Sequence, residues 1–116
     1  YYYAKQIDKI LEISKGEQVF WSGGHYKFSP EIAIAGNTLI SDSIITPPLL
    51  AYQIPYYYSS KTKERLLYDS EPTPGKWYVS QESYAKSLKG KIHYSFLDKW
   101  TQKNLVLYTI EQNSLE

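Results

Sequence analysis

The sequence predicts an α/β domain in which a small, partly parallel β-sheet is flanked by helices. Three observations carry that expectation. Residues 4–15 space their apolar side chains as one face of a helix, the runs 91–97 and 104–110 are rich in β-branched and aromatic residues, and a second helical pattern at 75–90 separates those runs from a β-prone stretch near residue 20. Helices that alternate with short strands have to bury one face each against a common sheet, and that layering defines the α/β class.

Taken in order, AKQIDKILEISK over residues 4–15 sets Ile7, Ile10, Leu11 and Ile13 near helical spacing, and Gly16 follows as the stop. Gln18, Val19, Phe20 and Trp21 form a short strand that runs into a loop at Ser22, Gly23 and Gly24. Ser29 and Pro30 are an N-cap and first-turn pair for a short helix over 29–35, ended by Gly36. A short strand is expected within Thr38–Pro48, closed by two prolines that no central strand accepts. The middle, Leu49–Pro74, reads as part helix and part loop. From Gly75 to Gly90 the recurrence of Trp77, Tyr84, Ala85 and Leu88 predicts a helix of about three turns. KIHYSFL at 91–97 and NLVLYTI at 104–110 are the closing strands.

Composition narrows the function. A chain of 116 residues makes one domain, spanning 1–116, and is long enough to bury a core. With 42% hydrophobic and 22% charged residues it has the balance of a globule. Its 13 tyrosines suit strands and flat-ring binding surfaces, since Tyr buries a ring while keeping a hydroxyl available. Lys and Arg total 13 against 12 Asp and Glu, so a net charge of +1 supplies no strong field toward nucleic acid, and a nucleic-acid partner is not expected. The absence of cysteine excludes disulfides, zinc-thiolate sites and thiol catalysis. No apolar run is long enough for a bilayer, and no stable membrane insertion is expected. The chain opens on Tyr1 rather than Met and is expected to be one domain of a longer protein.

Three motifs stand in a telling order: Phe20-Trp21-Ser22-Gly23 at a strand end; Trp77, then Tyr84-Ala85 and Gly90; and Glu111 after the last strand, in Ile110-Glu111-Gln112-Asn113-Ser114-Leu115. This layout resembles the ADP-ribosyl cyclase and NAD glycohydrolase family, whose members carry an FWSG-like strand end, a TLEDT-like segment, a W-x6-Y-A-x4-G block and a Glu in an ELPNL-like stretch. Three of the four blocks match in order, from about Phe20 to Leu115. The second departs: Thr38-Leu39-Ile40-Ser41-Asp42-Ser43 puts Ile40 where the family has its acidic residue and leaves Asp42 two positions on. The serine expected four residues after Trp77 is Gln81, with Ser80 beside it.

The resemblance implies a fold like the core of the ADP-ribosyl cyclases and cleavage of the nicotinamide–ribose bond of NAD, giving nicotinamide and ADP-ribose, with some cyclic ADP-ribose in the family's range. NAD is then the substrate, and no cofactor or metal is implied. Glu111 is the implied catalytic carboxylate, stabilising a cationic ribose. Trp21 and Trp77 are the implied nicotinamide plates, a cation–π contact being worth roughly 2 kcal/mol when desolvated. Backbone N–H groups at Ser22 and Gly23 are implied donors to the diphosphate, with Ser80, Gln81 and Asp42 as further implied substrate contacts; His25, following Gly23 and Gly24 beside the expected pocket, is added as a substrate contact on its position alone. Glu111, Trp21 and Trp77 are expected to converge on one pocket.

A small domain without cysteine, read as part of something longer, is also similar to the toxin domains of bacterial secreted or contact-dependent effectors. On that expectation it acts in the cytoplasm of a target bacterium, and a cognate immunity protein is its partner. Two other classes compete. One is a metal-independent ribonuclease toxin using His25 or His93 with Lys and Tyr as acid, base and phosphate binder. The other is a binding module that grips a protein or carbohydrate through Tyr and Trp.

Overall fold

The computed structural model describes residues 2–22, 53–64, 66–99 and 102–112. The helix expected over 29–35 and the strand expected within 38–48 lie outside the described residues. The remainder is mixed α/β: a mixed sheet of four strands, extended at one edge by a two-residue fifth, with helices on both faces. Among the described residues no helix is long and apolar enough to cross a membrane.

Helix α1 spans Tyr2–Ser14. It buries Tyr3, Ile7, Ile10 and Ser14, which recur every three to four residues along one stripe. Lys15 and Gly16 then take positive φ values of 58° and 78°, and the Gly16 N–H returns to the Leu11 carbonyl at 3.0 Å. That left-handed turn satisfies a terminal carbonyl, and glycine at 16 adopts it without a Cβ clash. Strand β1 (Val19–Trp21) follows directly.

Helix α2 (Gln53–Thr62) turns Ile54, Pro55, Tyr58 and Ser59 inward, and Pro55 is tolerated because it falls in the first turn, where N–H groups have no helical partner. The buried Tyr58 hydroxyl accepts the Val19 N–H at 3.0 Å, pinning α2 to the start of β1. Strand β2 is Leu67–Tyr68 and runs parallel to β1.

The helix expected over 75–90 is half strand. Trp77–Gln81 form β3, and only Glu82–Ser87 coil into a two-turn helix α3, with Gln81 in extended geometry at its N-cap. The cause is burial on both faces. Four of the five β3 residues are buried, so no polar alternation marks the strand, and Trp, Tyr and Val favour pleated backbone.

Strands β4 (Lys91–Asp98) and β5 (Lys103–Thr109) form the antiparallel pair expected from the sequence. The sheet order is β2-β1-β3-β5-β4, with β1 parallel to β2 and β3, and β5 antiparallel to β3 and β4.

Strand alternation divides the core in two. Val19, Trp21, Val79, Phe96, Leu105 and Leu107 pack against α1 and α2. On the opposite face Tyr78, Val106 and Tyr108 pack with Ala85 of α3. Full burial of each such side chain contributes about 1.5–3 kcal/mol. A hydrogen-bonded clamp joins the first helix to the last hairpin: the Tyr3 hydroxyl donates to the buried Asp98 carboxylate at 2.7 Å and accepts the Lys99 N–H at 2.7 Å, while the Tyr2 hydroxyl donates to the Leu97 carbonyl at 2.8 Å.

Tyr108 organises the α3 face. Its ring lies against Gly90, where an added Cβ would stand 2.8 Å from Cδ2 of Tyr108 and 3.2 Å from the Ala85 carbonyl oxygen. Among the described residues its buried hydroxyl has no hydrogen-bond partner, and burial raises its pKa to about 12, with the nearby Ser80 and Ser22 hydroxyls pulling the other way.

Two outcomes are expected. Gly90→Ala should destabilise the domain by about 1–3 kcal/mol in chemical denaturation, because a buried ring and a backbone carbonyl both have to yield. The unfolded chain ionises this tyrosine near its ordinary pKa of 10.0, whereas the folded chain holds the proton to about 12. The stability Tyr108 contributes is therefore complete below about pH 10 and lost between about pH 10 and 12, a fall of about 1–3 kcal/mol. Denaturation midpoints across that window, with Tyr108→Phe showing a shallower decline, are the check.

Candidate functional site

The pairing of β3, β5 and β4 builds an open groove at one edge of the sheet. Trp77 begins β3 and pairs with Thr109, the last residue of β5, and Thr109 pairs on its other side with Lys91, the first residue of β4. The chain leaves β5 through Ile110 and Glu111 across this edge. The groove has a volume of about 460 Å³, and Glu17, Lys76, Trp77, Thr109 and Glu111 are among its lining residues.

Trp77 is half buried and held from two sides. Its indole N–H donates to the Glu17 carboxylate at 3.1 Å, so the turn closing α1 sets the orientation of the ring. Packed against the indole at a tilt lies the His93 imidazole, with ring centroids 4.8 Å apart and planes inclined at 59°. His93 Nε2 is in turn 2.9 Å from the Thr109 hydroxyl.

His93 arrives there through a break in strand register. Ile92 pairs with Tyr108 and Tyr94 with Leu107, so His93 is the extra residue of a β-bulge. Without the bulge, Ile92 and Tyr94 would share a face. With it, Ile92 packs into the α3-side cluster and Tyr94 into the helix α1 and α2 side. The His93 pKa is lowered, chiefly by burial and then by Lys91, with Glu111 opposing both.

Glu111 is exposed, and its carboxylate is 3.7 Å from the Lys91 ammonium, itself exposed. A surface pair of this kind is weak, about 0–1 kcal/mol, so the carboxylate can exchange Lys91 for a ligand at little cost. The groove is thus lined by an oriented indole, two carboxylates, a hydroxyl and Lys76, whose ammonium lies 5.2 Å from the Phe20 ring. Electron-rich ring faces and carboxylates attract a flat cation bearing hydroxyl groups. Among the described residues no three His, Asp or Glu side chains gather as a metal site.

The other residues singled out in the sequence lie elsewhere. Trp21 is 3% exposed in the core against α1 and α2, because it shares the face of β1 with Val19 and an indole supplies the largest apolar area there. Trp21 pairs with Val79, which pairs with Leu107, so it stands one pleat repeat inward from the Trp77–Thr109 pair and gives no face to the groove.

Ser22 and Ser80 are buried together with Gln81 toward the opposite edge, at the carboxyl ends of β1 and β3. The Ser22 hydroxyl donates to the Asp69 carbonyl at 2.6 Å and that of Ser80 to the Gln81 carbonyl at 3.1 Å. Close by, the Tyr78 hydroxyl donates to the Asp69 carboxylate at 3.0 Å and accepts the Thr73 N–H at 2.8 Å. Gly23, His25 and Asp42 lie outside the described residues.

The structure thus unites Trp77 with Glu111 and Ser22 with Ser80, at two different edges of the sheet. It adds Glu17, Lys91, His93 and Thr109 to the first group. The position of Glu17, just after a helix stop and before a strand, is the one sequence signal that puts it at a sheet edge. The bulge that turns His93 toward Trp77 leaves no such mark.

Comparison with known proteins yields no match, whether to a family model, a curated protein or a solved structure.

Proposed function

We propose that this domain is an NAD glycohydrolase whose nicotinamide riboside end occupies the Trp77 groove. The observation that carries the reading is that Trp77, at the start of β3, and Glu111, just past the end of β5, line one open groove with an indole oriented by Glu17. This is the pair on which the resemblance to the ADP-ribosyl cyclase family places the most weight, and the reading takes the fold as akin to the core of that family.

In the proposed reaction the pyridinium ring of NAD stacks on Trp77 where the indole lines the groove, and the ribose hydroxyls bond to Glu111. The bond between ribose C1′ and the pyridinium nitrogen breaks with both electrons going to nitrogen. Nicotinamide then departs neutral and needs no general acid. The positive charge shifts to the ribose ring as an oxocarbenium ion, where the Glu111 carboxylate stabilises it electrostatically. Water adds to C1′, releases a proton and gives ADP-ribose. If the adenine end of the substrate attacks instead of water, cyclic ADP-ribose forms. Trp21, buried in the core, has no part in this scheme and is taken as a packing residue.

The wider proposal is that the domain is delivered from a secreted or surface-borne effector into a target bacterium, where it depletes NAD. A cognate immunity protein would neutralise it by covering the groove around Trp77 and Glu111.

Chromatography of nicotinamide, ADP-ribose and cyclic ADP-ribose after incubation with NAD is the direct test. The wild-type chain should release nicotinamide. Glu111→Gln should slow release by about 100-fold or more while circular dichroism is unchanged, and Trp77→Leu should act mainly by raising KM. Absence of nicotinamide at micromolar enzyme over hours would end this reading. Degradation of cellular RNA that persists in Glu111→Gln would favour a ribonuclease instead, and ligand binding without turnover would favour a binding module.

A further inference from the structure

His93 occupies an unusual position for a histidine on an edge strand, one that the glycohydrolase scheme leaves unused. It touches the same indole that is offered to the ligand, it is tethered to Thr109, and it reached both only because the strand bulges at that residue. We propose that His93 is a positioning residue whose protonation state controls the groove: the neutral imidazole leaves the Trp77 π-face to a cationic aromatic ligand, and the imidazolium takes that role for itself and repels the ligand. The identity of the ligand as a pyridinium rests on the glycohydrolase reading, while the control by a proton rests on the geometry of the three side chains.

The imidazolium and a cationic ligand compete for one quadrupole, that of the Trp77 indole. A neutral imidazole 4.8 Å from the indole makes a tilted aromatic contact that draws little electron density from the ring. Adding a proton converts the contact to a cation–π interaction and puts a full positive charge beside the place where a pyridinium would sit. Cation and proton then exclude each other.

The charged groups around His93 set where this happens. Burial disfavours the proton most, Lys91 on the same strand disfavours it further, and Glu111 beyond β5 favours it. From the turn after α1, Glu17 reaches the same indole by accepting the Trp77 N–H at 3.1 Å. Lys76, which precedes β3, reaches to the other face of the sheet, 5.2 Å above the Phe20 ring. Thr109 is neutral and serves either tautomer, since a hydroxyl both donates and accepts. The imidazole is therefore neutral at neutral pH, and the groove is open to a cation there. It closes as pH falls through a His93 pKa lying below the ordinary histidine value.

Linkage makes the proposal testable without turnover. If the proton weakens ligand binding by some factor, the ligand lowers the His93 pKa by the logarithm of that factor. The probe is 1-methylnicotinamide, a pyridinium that has no glycosidic bond to cleave. By titration calorimetry on the full chain, its affinity should fall about threefold to thirtyfold from about pH 8 to about pH 5, the span of a lost cation–π contact. In His93→Gln, which carries no proton at either pH and keeps an amide for Thr109, the affinity should be equal at both. Equal affinities in the wild type, a pH dependence that survives in His93→Gln, or no binding at about pH 8 would each overturn the proposal.

A second measurement needs no variant. The His93 ring C–H resonance, followed through pH by NMR, should titrate at a lower pKa with 1-methylnicotinamide present, and an unmoved midpoint overturns the proposal. NAD cleavage separates the two readings. Proton-linked binding without nicotinamide release rejects the hydrolase and leaves the control by His93, whereas nicotinamide release with pH-independent KM rejects that control and leaves the hydrolase.

Discussion

Strand β5 is the constraint on which the rest of the structure depends. Leu105, Val106, Leu107 and Tyr108 have no exposure at all, and the strand is hydrogen-bonded to β3 on one side and β4 on the other. Because side chains alternate, a slip of one residue would exchange Leu105 and Leu107 with Val106 and Tyr108 between two differently shaped cores. Leucines meet the helices α1 and α2, while Tyr108 meets Gly90 and Ala85, and neither core accepts the other's residues. The register is thereby determined for three strands at once. Trp77, Thr109 and Lys91 form one row, and the chain must carry Glu111 just past it.

The groove is a consequence of that row together with two local departures from regularity. The first is the left-handed turn at Lys15 and Gly16, which drops Glu17 next to the indole N–H. The second is the bulge at His93, which lets Ile92 and Tyr94 serve opposite cores and spends the extra residue on a contact with Trp77. Both are places where the chain gives up repeating structure, and a bulge at the rim of a sheet is a common means of aiming one side chain. The hydrogen bond from Trp77 to Glu17 and the contact with His93 hold the indole on two sides, so its orientation does not depend on a ligand.

The carboxyl ends of the parallel strands have a different character. There Ser22, Ser80 and Tyr108 bury hydroxyls between β1, β3 and β5, and the Asp69–Tyr78 bond closes the turn that leads from β2 to β3. In parallel sheets that edge is the usual place for a ligand, at the point where successive connections leave in opposite directions. Here β1 connects onward to β2 on one side while β3 connects toward β4 and β5 on the other, so the topology has such a switch point. The described hydroxyls at this edge are nevertheless committed inward, two of them to backbone carbonyls. Among the described residues, the groove around Trp77 at the other edge offers exposed, loosely paired groups such as Glu111 and Lys91.

By itself the sequence determined the parts whose signal is local: α1 from its apolar stripe and glycine stop, β4 and β5 from their β-branched and aromatic runs, the α/β class from their alternation, and the exclusion of thiol chemistry from the lack of cysteine. Trp77 and Glu111 were also legible as a pair worth attention. Tertiary structure decided what depends on both faces of a strand and on register. Burial on two sides made β3 a strand where residue spacing alone reads as helix, and alternation sent Trp21 into the core rather than beside Trp77. Pairing through β5, with a single bulged residue in β4, set Glu17, His93 and Thr109 around one indole. No local pattern encodes such a meeting, because each partner's position is set by hydrogen bonds to a different neighbouring strand or turn.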